Sequence, residues 1–156
     1  MTRPAWRDLL ERCGLHVLED TAAHHGPPVL AAIRAVAGYE VRPSATIPLA
    51  SPDAAAAELD RAWHLHATDT SLHAPGADPG PAGHGGAGEF LILPPDSKAT
   101  DPGWVPVRDT NPGNLPSRIA EATGSPECIT VSLDGRRLCA VSEEEYDYWV
   151  VRHTFG

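Results

Sequence analysis

The stretch "CITVSLDGRRLCAV", residues 128–141, constrains the fold more than any other segment of the chain. Two runs rich in β-branched and aliphatic residues flank Asp134-Gly135, a pair that favours a two-residue type I′ hairpin turn. The turn fixes the register, so that alternate residues of the two strands share one apolar face. That face holds Ile129, Val131, Leu133, Leu138 and Ala140. The same register places Cys139 opposite Thr130 rather than Cys128, which predicts a hairpin without a disulfide across it.

Three further segments of the second half are typical of strands. "EFLILPP" and "WVPVRD" predict strands at 89–94 and 104–108, in addition to the hairpin strands at 128–133 and 136–141. "VSEEEYDYWVVRHTFG" supports two interpretations: Ser142 with Glu145 matches a helical capping box, whereas "YDYWVV" is strongly β-prone. We favour one helical turn at 142–146, followed by a strand at 147–152.

The first half shows helical patterns. Apolar residues spaced three and four apart predict helices at 4–13 and 27–37, and "SPD" at 51–53 is a helix start that predicts a third over 52–64. The prolines in "EVRPSATIPLA" are typical of an extended edge strand. Together these patterns predict an α+β fold, in which N-terminal helices pack on one face of a mostly antiparallel C-terminal β-sheet.

The length of the chain fits one domain over residues 1–156. Residues 74–88, "APGADPGPAGHGGAG", contain three prolines, six glycines and no large apolar side chain. A segment of this composition cannot contribute to a core. We therefore predict a flexible Gly/Pro-rich loop that separates a helical first half from a β-rich second half.

Charge and cysteine content narrow the function classes. A net charge of −9 argues against direct nucleic-acid binding and against anionic membrane surfaces. No apolar run is long enough to span a membrane, and the N-terminus lacks the apolar region of a signal peptide. Cys13, Cys128 and Cys139 are an odd count at unrelated spacings, which predicts reduced, mostly buried thiols and a cytoplasmic protein. Eleven arginines against one lysine, with many alanines, are typical of a GC-rich, bacterial genome.

The stretch "RAWHLHATDTSLH", residues 61–73, raises the question of a metal site formed by His64, His66 and His73. Two residues spaced HxH point the same way in a strand but diverge by about 200° in a helix. Because the helix start at 51–53 favours a helix here, we predict no metal site and no cofactor. If the helix ended at Trp63, His64 and His66 would become metal-ligand candidates, with His73 or Asp69 as a third ligand.

Templates for nucleophilic catalysis and phosphate binding are absent from the sequence, which contains no GxSxG, no Walker motif and no GxGxxG after a strand. We identify no catalytic residue. Asp109, Asn111 and Asn114 fit roles in turns and helix caps, although residues of these types in a loop could also bind a ligand.

The densest group of charged and aromatic residues in the chain is an acidic and aromatic cluster near its end. We predict that Glu143, Glu144, Glu145, Asp147 and Tyr148 bind a protein partner with a basic surface. The expected function is a small, soluble, non-catalytic binding module of the immunity, antitoxin-like or accessory kind. Association with further copies of the chain is left open. The alternative is a small-molecule-binding or metal-assisted enzyme of a biosynthetic pathway that uses the histidines.

Overall fold

The computed structural model describes residues 5–18, 26–37, 41–49, 52–70, 72, 74–75, 88–95, 103–109 and 113–155. The helices in these ranges are α1 (Ala5–Arg12), α2 (Val29–Ala37), α3 (Pro52–Asp69) and α4 (Leu115–Thr123). The strands are β1 (Leu15–Val17), β2 (Ala45–Pro48), β3 (Ala74–Pro75), β4 (Gly88–Leu93), β5 (Val105–Asp109), β6 (Cys128–Val131), β7 (Arg137–Glu143) and β8 (Asp147–Thr154).

The strands form one antiparallel sheet in the order β1-β5-β4-β6-β7-β8-β2, and β3 pairs with the start of β4. Its five central strands come from the second half of the chain. The two outer strands come from the first half, where β1 pairs with β5 and β2 pairs with β8. The extended edge strand predicted from "EVRPSATIPLA" is therefore confirmed as β2, whereas β1 was not foreseen.

The sheet is covered on both faces. On one face α1, α3 and α4 bury the larger apolar cluster, at the centre of which are Trp63, Phe90 and Ile119. On the other face α2 buries a smaller cluster that includes Val131 and Leu138. The α+β class and the antiparallel sheet are confirmed, and the placement of α2 on the opposite face adds a second, smaller core.

Helix α3 extends from Pro52 to Asp69, five residues further than expected, because the buried stripe of Ala55, Leu59, Trp63 and Ala67 continues at helical spacing across the sheet. Helix α3 also fixes the start of α4. The Asp60 carboxylate accepts hydrogen bonds from the Ser117 backbone N–H at 2.9 Å and from the Ser117 hydroxyl at 2.6 Å. An anion at this position satisfies donors of the first helical turn.

The hairpin of β6 and β7 has the predicted register, with Ile129 opposite Ala140 and Cys139 opposite Thr130. The turn itself begins one residue earlier than predicted, because the Gly135 N–H donates to the Ser132 carbonyl. Gly135 adopts a φ of 76°, in the left-handed region that favours glycine. The three cysteines are buried free thiols, as predicted.

Residues 76–87 of the glycine-rich segment lie outside the described residues, and the division of the chain that it predicts stays a prediction. The described chain contains no helix with the length and apolar character needed to cross a membrane.

Candidate functional site

The acidic cluster predicted from the sequence lies in the tight connection between β7 and β8, which we call the acidic turn (residues 143–147). The Glu144 N–H donates to the Asp147 carbonyl at 2.8 Å and closes the connection. The Leu49 N–H, just beyond β2, donates to the Tyr146 carbonyl at 3.1 Å. These backbone bonds hold the turn against the edge of the sheet.

The helical turn predicted at 142–146 is wrong, whereas the strand predicted after it is confirmed. Strand β7 continues to Glu143, which pairs with Tyr148 of β8. The Ser142 hydroxyl donates to the Glu144 carboxylate instead of capping a helix. The capping box is a local preference, and pairing with β8 outweighs it.

The five residues predicted to bind a partner do not share one environment. Glu143 and Glu145 are exposed, and Glu144 and Asp147 are half-buried. Tyr146, which is not among the five, is 78% exposed at the tip of the turn. An exposed tyrosine among carboxylates is typical of a protein-binding surface, where aromatic residues are favoured anchors.

Tyr148 lies on the face of α3 and α4, where it packs against the larger core cluster. Burial raises its pKa above the ordinary value, and the nearby Glu143 carboxylate raises the pKa further. Strand alternation places Trp149 on the opposite face, beside its cross-strand partner Ser142. Tyr148 therefore lies on the face of the sheet that α3 and α4 cover, and Trp149 lies on the other face.

Glu127 is a fifth carboxylate at this end of the sheet, and it was not among the residues predicted from the sequence. Its side chain accepts a hydrogen bond from the Glu143 N–H at 3.2 Å, and the Ser125 hydroxyl donates to the Glu143 carboxylate at 3.4 Å. The predicted hairpin register contained the necessary information, because continuing it past Cys128 brings Glu127 beside Ser142.

None of these five carboxylates forms a salt bridge with an arginine of the described residues. The salt bridges of that part of the chain involve other carboxylates, those of Glu11, Glu89, Asp109, Asp134 and Asp69. The hydrogen bonds to Glu127, Glu143 and Glu144 orient the carboxylates without neutralising them. The result is a concentrated negative charge, held in place by the fold.

An apolar cleft opens directly beside the acidic turn. It lies between the C-terminal half of α2, the end of β4 and the adjoining ends of β6 and β7, and encloses about 290 Å³. Ile33 and Ala37 of α2 form one wall, Leu93 to Pro95 another, and Ile129 the floor. Glu127 and Ser142 line the same cleft, so the cleft and the carboxylate cluster form one continuous surface.

The histidine candidates occupy helix α3, because the helix continues past Trp63 to Asp69. His64 and His66 therefore diverge, as the sequence argument expected for a helix. His66 Nδ1 lies 3.3 Å from an Arg152 guanidinium nitrogen, whose charge disfavours a metal cation at that atom. Among the described residues no group of three potential ligands is arranged to hold a metal ion. His73 lies outside those residues.

We expect the titration of His66 to report this environment. Burial lowers its pKa below the ordinary 6.5, and the Arg152 charge lowers it further. A depressed histidine pKa contributes stability that is present above pH 6.5 and is lost as the pH falls through and below that value. Replacing Arg152 with glutamine should raise the pKa of His66, because the substitution removes the positive charge beside the imidazole. It also frees the Asp69 carboxylate, which favours the imidazolium. NMR titration measures the change.

Arg7→Gln is the control for this titration, because Arg7 pairs with Glu11 on α1, which packs beside β1 at the edge of the sheet far from β8. The control should leave the His66 titration unchanged. An unchanged or lower His66 pKa in Arg152→Gln would contradict the assigned contact.

Two of the loop residues that were assigned to turns and caps, Asn114 and Asp109, lie in the described chain. Asn114 occupies the N-cap position of α4, and its side chain accepts a hydrogen bond from Arg118 instead of capping the helix. Asp109 is completely buried at the end of β5 and pairs with Arg118 at 2.7 Å. The role of Asp109 is therefore structural, as an ion-pair partner in the core rather than a turn residue. Asn111 lies outside the described residues.

Comparison with known proteins adds no family. A scan against protein-family models, a search of curated proteins and a search of solved structures each found no match.

Proposed function

We propose that the chain is a non-catalytic binding protein that recognises a basic protein surface through the acidic turn and Glu127. The observation that supports this most strongly is the set of five carboxylates, three of them oriented by hydrogen bonds, that no described arginine neutralises. One concrete version of the proposal is an immunity or antitoxin-like protein that masks a basic effector.

The electrostatic argument rests on the cost of placing like charges together. Mutual repulsion among the carboxylates raises the free energy of the free chain, and cations supplied by a partner would lower it. Charge of one sign also accelerates diffusional encounter with a partner of opposite sign. Both effects weaken as salt rises, because the Debye length falls to about 8 Å at physiological ionic strength.

The geometry of the turn favours recognition over simple solubility. The backbone bonds of Glu144 and Leu49 and the hydroxyl bonds of Ser125 and Ser142 hold the carboxylates in place before binding. A preorganised surface loses less conformational entropy on association than a mobile one. Tyr146 at the tip adds apolar area within the charged surface.

We test the proposal with a photo-crosslinking amino acid in place of Tyr146, in cells of the organism that encodes the chain. The same group in place of Leu65, which is 63% exposed on α3, serves as the positional control. We expect position 146, and not position 65, to crosslink a basic protein, with a yield that falls when salt is raised in lysates of these cells before irradiation. Equal crosslinking at both positions, or none at position 146, would contradict the proposal.

A charge variant tests the same surface quantitatively. Removing two exposed charges with Glu143→Gln and Glu145→Gln should weaken affinity for the crosslinked partner about tenfold, or about 1.4 kcal/mol. The control, Glu58→Gln with Glu121→Gln, removes two exposed charges from α3 and α4 and should leave the affinity unchanged. Equal losses of affinity in the two double variants would show that the acidic turn acts only through the net charge of the protein.

A further inference from the structure

We propose that the apolar cleft beside the acidic turn binds an apolar side chain of the partner that is flanked by lysine or arginine. This inference rests on the proposed function and adds the chemistry of the recognised segment: a short stretch of the partner chain in which one leucine-like or phenylalanine-like residue adjoins basic residues.

The size of the cleft fits a single large side chain. A cavity of about 150 Å³ lined by apolar residues holds a benzene molecule. The cleft encloses about 290 Å³, which admits an aliphatic or aromatic side chain with part of its own backbone. Ile33, Leu93 and Ile129 supply apolar contacts from three different elements, so an inserted side chain would be enclosed on several sides.

The charge around the cleft selects the neighbours of that side chain. Glu127 lines the cleft directly, and Ser142 on its wall donates to the carboxylate of Glu144. An apolar group that enters the cleft therefore brings its flanking residues against carboxylates. Lysine or arginine at those positions gains charge-assisted hydrogen bonds, whereas aspartate or glutamate is repelled.

The alternative occupant is a second copy of this chain. With a net charge of −9, two copies that meet at this surface would place their carboxylate clusters near each other. Like-charge juxtaposition disfavours that arrangement, and a basic partner is favoured for the same reason.

Three capped peptides, titrated at low salt into protein with labelled methyl groups, test the inference: acetyl-Lys-Leu-Arg-amide, acetyl-Lys-Gly-Arg-amide and acetyl-Glu-Leu-Glu-amide. We expect the first to bind at least tenfold more tightly than the second, because burying a leucine side chain contributes on that order. Its binding should shift the methyl resonances of Ile33 and Ile129. The third should show no binding in the same range.

A cleft-filling variant separates the apolar contribution from the charge. Ala37→Phe places a ring in the cleft and should abolish the advantage of the leucine peptide over the glycine peptide. Ala57→Phe, on the exposed side of α3, is the matched control and should preserve that advantage. Circular dichroism of both variants checks that the fold is retained.

Each contrary result overturns the inference in a distinguishable way. Equal binding of the two basic peptides, with shifts confined to residues 143–147, would retain charge recognition and remove the apolar site. Equal binding of the first and third peptides would remove the coupling to charge. Binding of none would overturn the inference, while crosslinking at position 146 judges the proposed function separately. A dimer in sedimentation that Ala37→Phe disrupts would assign the cleft to a second copy of the chain.

Discussion

Replacing Arg118 with methionine should lower the free energy of unfolding by about 3–5 kcal/mol, the loss expected when one partner of a buried ion pair is removed. Asp109 is completely buried, and only 16% of the Arg118 side chain is exposed. The substitution removes the guanidinium and leaves the Asp109 carboxylate in the core. Chemical denaturation monitored by circular dichroism measures the change.

The large effect is expected because Arg118 connects three parts of the fold. Its guanidinium donates to the Asp109 carboxylate at the end of β5 and to the Cys13 carbonyl that follows α1, both at 2.7 Å. The Cys13 carbonyl would lose a charged hydrogen bond in the same variant. A domain with a total stability of about 5–15 kcal/mol cannot lose this much without a large rise in its unfolded population.

Two comparisons make the expectation for Arg118 specific. Arg137→Met breaks a surface ion pair whose side chains are 40% and 46% exposed, and should cost less than about 1 kcal/mol. The double variant Asp109→Leu/Arg118→Met should recover part of the loss, because it no longer buries a charge. A loss below about 1 kcal/mol for Arg118→Met alone would show that the ion pair contributes no more than a surface pair.

Replacing Trp63 with alanine should destabilise the fold by a similar amount, about 3–5 kcal/mol. Trp63 is completely buried where α3 lies across the sheet, and it belongs to the larger core cluster with Leu59 and Ile119. The deletion combines lost burial of a large apolar side chain with a cavity that the surrounding elements fill only in part. Thermal and chemical unfolding should agree on the loss.

Leu65→Ala, two residues further along α3, is the control for Trp63. Leu65 is 63% exposed, so its truncation should change the free energy of unfolding by no more than about 0.5 kcal/mol. Comparable losses at the two positions would contradict the placement of α3 against the sheet.

Local chemistry allowed a large part of the fold to be predicted. The register of β6 and β7 follows from one turn and a period of two, and the start of α3 follows from the sequence "SPD" at 51–53. Each of these features is set by residues that are close in the sequence. The prolines of "EVRPSATIPLA" also predicted the edge strand β2, because prolines are tolerated at the edge of a sheet.

Features set by distant residues were missed. Strand β1 has only three residues, and its pairing with β5 has no local signature. The apolar face of α2 predicts burial but does not indicate which side of the sheet the helix covers. The partner of Asp109 is nine positions away on α4, and both the burial and the pairing depend on the tertiary fold. The helical turn at 142–146 failed because a local capping pattern competed with strand pairing.

The candidate site was likewise predicted only in part. The position of the carboxylates in the sequence indicated a charged surface, and Glu143 and Glu145 are exposed. The cleft could not be foreseen, because its walls come from α2, β4, β6 and β7. Tyr146 was passed over in favour of Tyr148, because the sequence did not indicate that Tyr146 lies in the turn and that Tyr148 lies in β8, against the core.

The pairing of both outer strands with distant partners has a consequence for the newly synthesised chain. Strand β2 pairs with β8, and β1 with β5, each across roughly a hundred residues. At a synthesis rate of about 5–20 residues per second, β2 is synthesised about 5–20 s before β8. During that interval its backbone donors and acceptors have no strand to pair with. Strands β1 and β2 therefore remain without a partner strand for longer than any other strand of the described sheet.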